Sequence, residues 1–285
     1  PQRAAAQTKE GNFGTGLHWK YEDGTLTISN PNSTPEDMPN YLSIMLDRPW
    51  KAHQGKIEKV AIGVGVSSIG ENAFRYCYKL KTVEFGADVK KIRDDAFHGC
   101  AALQTITIPT TVEEIDAGAF DGSGLTAIEV AVGNGKYESA DGVLYNKETN
   151  KSLLRYPPKK ADLTEFTIPD GVKSIGMRAF EGCKELKTVT IPKAVTDIET
   201  QAFAGCTGLT DFTVSWDEPI NIDFGSGGTA FGPQEEIGWL RHVTLHVPAN
   251  KKKAYEEKGV WREFTVMQEG DVLTEGYLTS GARWK

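Results

Sequence analysis

AFRYCYKLKTVEF, residues 73–85, returns twenty-three residues later as AFHGCAALQTITI, residues 96–108. It comes back as AFDGSGLTAIEV at 119–130, AFEGCKELKTVTI at 179–191 and AFAGCTGLTDFTV at 202–214. Working outward from Ala-Phe, each copy is preceded by V-x-x-I and followed by Cys, Leu and a short alternating stretch. The first runs Val66, Ile69, Ala73, Phe74, Cys77, Leu80, Val83, Phe85, and the second Val89, Ile92, Ala96, Phe97, Cys100, Leu103, Ile106, Ile108. The third has Ser123 beside the cysteine position and is one residue short before Leu125. Fixed apolar spacing over five copies is the signature of a solenoid, in which no unit can bury its apolar face alone.

Within the unit, L-x-x-V-x-I alternates as a strand does, and Pro109, Pro169 and Pro192 follow it where the strand must stop. Ile57-Val60-Ile62, Leu163-Phe166-Ile168 and Leu240-Val243-Leu245 fit the same strand template and extend the array at its ends and across its interruption. Repeat arrays need caps. Asp23-Gly24, between alternating stretches in LHWKYEDGTLTIS, signals a hairpin. The expected organisation is therefore a disordered tail over 1–11, a capping lobe over 12–56 in which Trp19 and Trp50 cover the first repeat, a solenoid over 57–248, and a helical cap and tail over 249–285. Two interruptions fall inside the solenoid. The stretch 131–162 reads as a projecting hairpin in which 143–145 and 152–156 bracket the polar turn NKETNK, and 217–239 reads as a long Gly-rich loop.

IGENAFRYCYKLKTV, IPDGVKSIGMRAFEGCKELKTVTIP and ADGVLYNKETNKSLLRYPPKK resemble BspA-like leucine-rich repeats, as do the flanks WKYEDGTLTIS and VPANKKKAYEEKGVWREF. The resemblance implies a right-handed leucine-rich-repeat superhelix of 23-residue units with stacked parallel strands and an N-terminal β-hairpin cap. It also implies a secreted or surface-anchored bacterial protein without enzymatic activity that binds host proteins, matrix or other cells. The opening PQRAAAQTKEGN carries no apolar leader, so an extracellular location implies a signal peptide already removed, or a lipid anchor.

Composition narrows the partners. The formal net charge is −7 and no Lys/Arg-rich stripe is present, which argues against nucleic acid. No apolar run approaches the roughly 18 residues of a membrane span. The four cysteines, Cys77, Cys100, Cys183 and Cys206, share one repeat position. Neighbouring pairs sit inside the Cα window for a disulfide, yet stacked side chains point in parallel. A ladder of buried thiols is the preferred reading, with disulfides the open alternative. His242 and His246 are too far apart on an extended strand to share an ion, and His18, His53 and His98 are scattered. The Gly-rich stretches 63–70 and 224–232 lack a phosphate-binding pattern, and Glu113-Glu114 and Glu235-Glu236 are adjacent surface carboxylates. No catalytic, metal or cofactor site is expected, and the chain is expected to be a monomer.

What remains is the outward face of the strands. Alternation turns Thr82, Thr105, Ala127, Glu165, Thr188 and Asp211 outward in one column, and Glu84, Thr107, Glu129, Thr167, Thr190 and Thr213 in another. Threonine suits an exposed strand for its own sake. The functional reading is a hydroxyl-rich, acidic face that a protein partner contacts. Two alternatives stand beside it: a polysaccharide-capturing accessory using Tyr137, Tyr145, Tyr156 or Trp216 as stacking platforms, or a structural spacer at the cell surface.

Overall fold

The computed structural model describes residues 9–32, 34–41, 48–160, 164–223 and 228–270. The chain forms two compact units, residues 1–147 with 157–159, and residues 148–156 with 160–285, the division falling inside the interrupted stretch 131–162.

Each turn of the first unit has three sides, and each side is hydrogen-bonded to the turns next to it. The first side is the L-x-x-V-x-I strand. Thr25–Ser29, Lys59–Ile62 and Thr82–Glu84 pair in parallel, as do Thr105–Ile108 and Ala127–Val130. The second side is the V-x-x-I segment, a ladder of shorter parallel strands formed by Glu36–Asp37, Val66–Ile69, Lys91–Ile92 and Glu114–Ile115. On the third side Phe74 N–H donates to Ala96 O and Phe97 N–H to Ala119 O, both at 2.8 Å. Here the earlier turn donates to the later one. At the entry to the first side the direction reverses, with Lys81 N–H donating to Glu58 O and Thr126 N–H to Gln104 O, both at 2.8 Å. Backbone groups inside a solenoid have no water to turn to, so this inter-turn pairing is what lets the chain bury so much of itself.

The repeated phenylalanine explains itself in the core. Trp50, Phe74, Phe97 and Phe120 stack in one column with centroid spacings of 5.9, 5.4 and 5.9 Å. Trp50 also donates its indole N–H to Ala73 O at 3.0 Å, so the cap copies the packing of a repeat with an aromatic of its own. Trp19 packs on His53. The hairpin at Asp23-Gly24 forms as expected: both residues have positive φ, and Leu17–Glu22 pairs antiparallel with Thr25–Ser29. Lys9–Phe13 adds a third strand outside it, so residues 9–11 belong to the cap and not to a tail; residues 1–8 lie outside the described residues.

The second unit is built the same way. Glu165–Thr167, Thr188–Ile191, Asp211–Val214, Thr244–Pro248 and Val266–Gly270 form a parallel sheet, and Ser152–Arg155, Ser174–Ile175 and Asp197–Ile198 form the shorter ladder. Its aromatic column is Tyr156, Phe180, Phe203 and Phe231, with spacings of 5.2, 4.8 and 5.8 Å. Phe231 corrects the reading of 217–239 as a loop. Ala230-Phe231 is a further Ala-Phe step, with Phe203 N–H donating to Ala230 O at 2.7 Å, and a 3-10 helix at Gln234–His242 leads back to the sheet. Residues 224–227 lie outside the described residues. A short helix, Lys252–Glu256, and a 3-10 turn, Gly259–Glu263, precede the last strand, with Trp261 and Phe264 buried against Phe212; residues 271–285 are not described.

The stretch 131–162 also departs from expectation. A hairpin pairs Tyr137–Ala140 with Val143–Asn146 and turns at Asp141-Gly142, and the strands expected on either side of NKETNK also form, as Val143–Asn146 and Ser152–Arg155. It does not project: Val143, Leu144 and Tyr145 are buried. Asn134 ties down its base. Its side-chain amide donates to Pro109 O at 2.7 Å and Val112 O at 3.1 Å, and its side-chain oxygen accepts from the Lys136 and Tyr137 amides at 2.8 Å each.

All four cysteines are buried free thiols. Cys100 Sγ donates to Phe74 O at 3.2 Å and Cys206 Sγ to Phe180 O at 3.0 Å, so each serves a carbonyl of the preceding turn. Burial pushes the Cys77 thiol up to about 12 and holds Cys100 and Cys206 well above their ordinary value. A proton held more tightly in the folded than in the unfolded chain supports folding fully below the unfolded value near 9, and that support is lost as pH rises through the folded value. Urea midpoints should therefore fall from pH 9 upward. A thiol reagent at pH 8 should find almost none of the four thiols until the chain unfolds. Rapid labelling of the native protein would contradict this packing.

Candidate binding face

Register decides which outward residues meet. In the first unit Thr82 pairs beside Lys59 and Glu84 beside Ala61, while Thr105 pairs beside Ala127 and Thr107 beside Glu129. Thr82, Glu84, Thr105, Thr107 and Glu129 are all exposed. Glu84 is bound by Lys59 Nζ at 2.5 Å, so part of its charge is already answered within the face. The hairpin borders this sheet. Gly142 O accepts from Ile128 N–H at 2.8 Å, and Ser139 Oγ lies 3.4 Å from Glu129 Oε2.

In the second unit Glu165, Thr188, Asp211, Thr244 and Val266 form one column, and Thr167, Thr190, Thr213, His246 and Gln268 the other. Glu165 and Thr167 are exposed, while Thr188, Thr190, Asp211 and Thr213 are half-buried by their neighbours. His246, too far from His242 along an extended strand to share an ion with it, has another place. It stands in this face with Nε2 2.8 Å from Asp211 Oδ1. Burial pushes the Asp211 carboxyl up, but hydrogen bonds from His246 and Thr210 outweigh it and leave the group below its ordinary value. Leu245 takes the Phe212 register, which turns His246 outward beside Thr213.

The proposed stacking platform is corrected by burial. Tyr137, Tyr145, Tyr156 and Trp216 are 8, 1, 1 and 5 % exposed. Their rings fill core positions that the interrupted repeat leaves open: Tyr156 occupies the phenylalanine column, and Trp216 stacks edge-on with Trp261. Their polar tips serve the backbone, Tyr137 Oη accepting from Ile115 N–H at 3.0 Å and Trp216 Nε1 donating to Val195 O at 2.7 Å. A sugar cannot reach them. Among the described residues no cluster of three or more His, Cys, Asp or Glu could hold a metal ion, and no helix is long and apolar enough to cross a membrane.

Turns of about 23 residues, a parallel sheet on one side and an aromatic column inside make each unit a leucine-rich-repeat solenoid. The model of the BspA type leucine-rich repeat region matches six copies over residues 52–140 and 158–223, more than half of the chain, and the chain belongs to that family. A leucine-rich repeat protein from Eubacterium ventriosum is similar in structure, with TM-score 0.52 and 24% identity over 85% of this chain and 78% of that one. A leucine rich cell surface protein from Faecalibacterium prausnitzii gives TM-score 0.47 and 18% identity over 95% of both chains. The pneumococcal vaccine antigen PcpA gives TM-score 0.45 and 14% identity over 91% of this chain and 98% of that one. No curated protein matches.

Proposed function

We propose that the chain is a non-enzymatic binding module that works outside a bacterial cell and holds a protein partner, of host or matrix type, on the outward sheet faces of its units. The observation that carries the reading is the register of those faces. In the second unit it aligns Glu165, Thr188 and Asp211 beside Thr167, Thr190 and Thr213, and in the first it sets Thr107 beside Glu129, on strands whose backbone is already bonded from turn to turn. Such a face is rigid before any partner arrives, so association orders little of it. Membership of the BspA type family supports the extracellular location.

The test is capture of immobilised matrix proteins and mucins by the purified chain and by two variants. T107R addresses the first unit, and T167R with T190R the second. Substitutions on an exposed strand face shift stability by no more than about 0.5 kcal/mol, so both variants should melt with the parent protein. Capture should fall at least tenfold in the variant whose face is used. Capture by the parent that survives both variants unchanged would refute the face, and no capture by the parent would refute the module.

A further inference from the structure

The repeat copies serve as an internal comparison, and one of them departs from the others at the surface. The residue before the cysteine position is Gly99, Gly122, Gly182 and Gly205 in four copies, all with φ between 60 and 73°. In the first copy it is Tyr76, with φ 60°. A left-handed backbone suits glycine and strains a residue carrying a Cβ and a ring, at a cost of order 1–3 kcal/mol. Nothing in the repeat needs that ring, because the four other copies fold without it.

The ring is also held in place and left open. Tyr76 is 47 % exposed and Tyr78, two residues on, 53 % exposed, whereas the other copies have Ala101, Gly124, Lys184 and Thr207 at the second position. Tyr76 lies over the next turn. A Cβ on Gly99 would come within 2.6 Å of its ring, and His98 meets it edge-on at 5.3 Å. The Arg75 guanidinium stands 4.9 Å from the ring centroid and donates to Tyr76 Oη at 3.2 Å, while itself held by Asp95. Tyr78 lies the other way, its Oη 2.4 Å from where a Gly55 Cβ would be, over the preceding turn. The two rings thus lean on turns to either side of their own, which spaces them by roughly two strand separations, about 10 Å.

We propose that Tyr76 and Tyr78 form a glycan-binding site, distinct from the sheet face, that stacks sugars of one chain on its two rings. The chemistry fits a saccharide better than a protein. Arg75 stands over one face of the Tyr76 ring and His98 meets it edge-on, so the ring is held still and a pyranose can lay its axial C–H groups on the exposed part at little further entropic cost. Arg75, Asp95 and His98 are partly exposed at the rim, where hydroxyls need donors and acceptors. The spacing places alternate sugars of an extended chain on the two rings. Ordinary apolar packing would bury these side chains, yet both are about half exposed.

The experiment uses the full chain and neutral hexasaccharides built from glucose, mannose, galactose and N-acetylglucosamine, measured by titration calorimetry. At least one should bind, and Tyr76→Gly and Tyr78→Ala should each weaken it at least tenfold. Tyr76→Gly restores the residue of the other copies, so it should melt at the same temperature as the parent or higher; this separates loss of the site from loss of the fold. T107R should bind the sugar as the parent does. Silence of the parent chain across the panel, or binding unchanged in Tyr76→Gly, would overturn the proposal.

Discussion

Phe97→Ala should remove about 3–5 kcal/mol of unfolding free energy, the range for deleting a large buried aromatic. Phe97 is fully buried, and its ring is sandwiched between Phe74 at 5.4 Å and Phe120 at 5.9 Å. Alanine would leave a gap in the middle of that column, and each neighbouring ring would lose the contacts on one of its faces. The neighbours cannot collapse into the gap easily. The backbone at Phe97 is held by its bond to Ala119 O, and that at Phe74 by its bond to Ala96 O. Since whole domains are stable by only about 5–15 kcal/mol, a loss of this size should be visible in a urea titration as a large fall in midpoint. Phe85 supplies the control. It approaches Phe97 edge-on at 6.3 Å from a partly exposed position, so Phe85→Ala should cost less than half as much. Equal losses would show that the column is not the organising core.

Asn134→Ala should cost about 3 kcal/mol although it removes no apolar surface. The side chain is almost wholly buried and completes four hydrogen bonds, two given and two received. Alanine keeps the backbone but abandons two carbonyls and two amides in a place water reaches poorly, and each unsatisfied buried group costs about 1–3 kcal/mol before local relaxation. Lys147 Nζ, which donates to the backbone oxygen of Asn134, will not replace the lost groups because it bonds the main chain. Asn134→Asp separates the halves of the effect: the carboxylate still accepts from Lys136 and Tyr137 but gives nothing to Pro109 or Val112. Its overall loss should be at least as large, because a buried carboxylate oxygen then faces the Pro109 and Val112 carbonyls, yet amide exchange at residues 136 and 137 should accelerate at least tenfold in the alanine variant but much less in the aspartate. Unchanged exchange in the alanine variant would mean the hairpin stands without its anchor.

Much of the fold could be read from five copies of a spaced pattern. Leu, Val and Ile at alternating positions point to a strand, and a constant 23-residue interval fixes which strand lies next to which. Other features carry no such signal. The second ladder is made of two-residue strands such as Lys91–Ile92 and Ser174–Ile175, too short to show alternation. The Ala230-Phe231 step was hidden because its spacing from Phe203 exceeds the repeat and its surroundings are rich in glycine. The Asp141-Gly142 turn was legible, since it is the same dipeptide as Asp23-Gly24, and it adds the strand Tyr137–Ala140 beside those that bracket NKETNK. The outward columns followed from strand alternation, whereas the buried tyrosines did not. An aromatic in an interrupted stretch has no periodic neighbour to say whether it faces core or water, and Tyr156 was drawn inward by the phenylalanine column. The same comparison of copies that revealed the fold also marks Tyr76, because a regular pattern makes its one exception visible.

The bonding between turns also bears on how such a chain changes length. Neighbouring repeats present the same donors, acceptors and ring to one another, as Phe74 to Ala96 and Phe97 to Ala119 show. A gene segment encoding residues 74–96 could be copied or lost by unequal crossing-over between neighbouring repeats, and the joints on either side would close as before. Reach could then be altered in a single genetic event, while a surface exception such as Tyr76 is carried along in one copy or left behind.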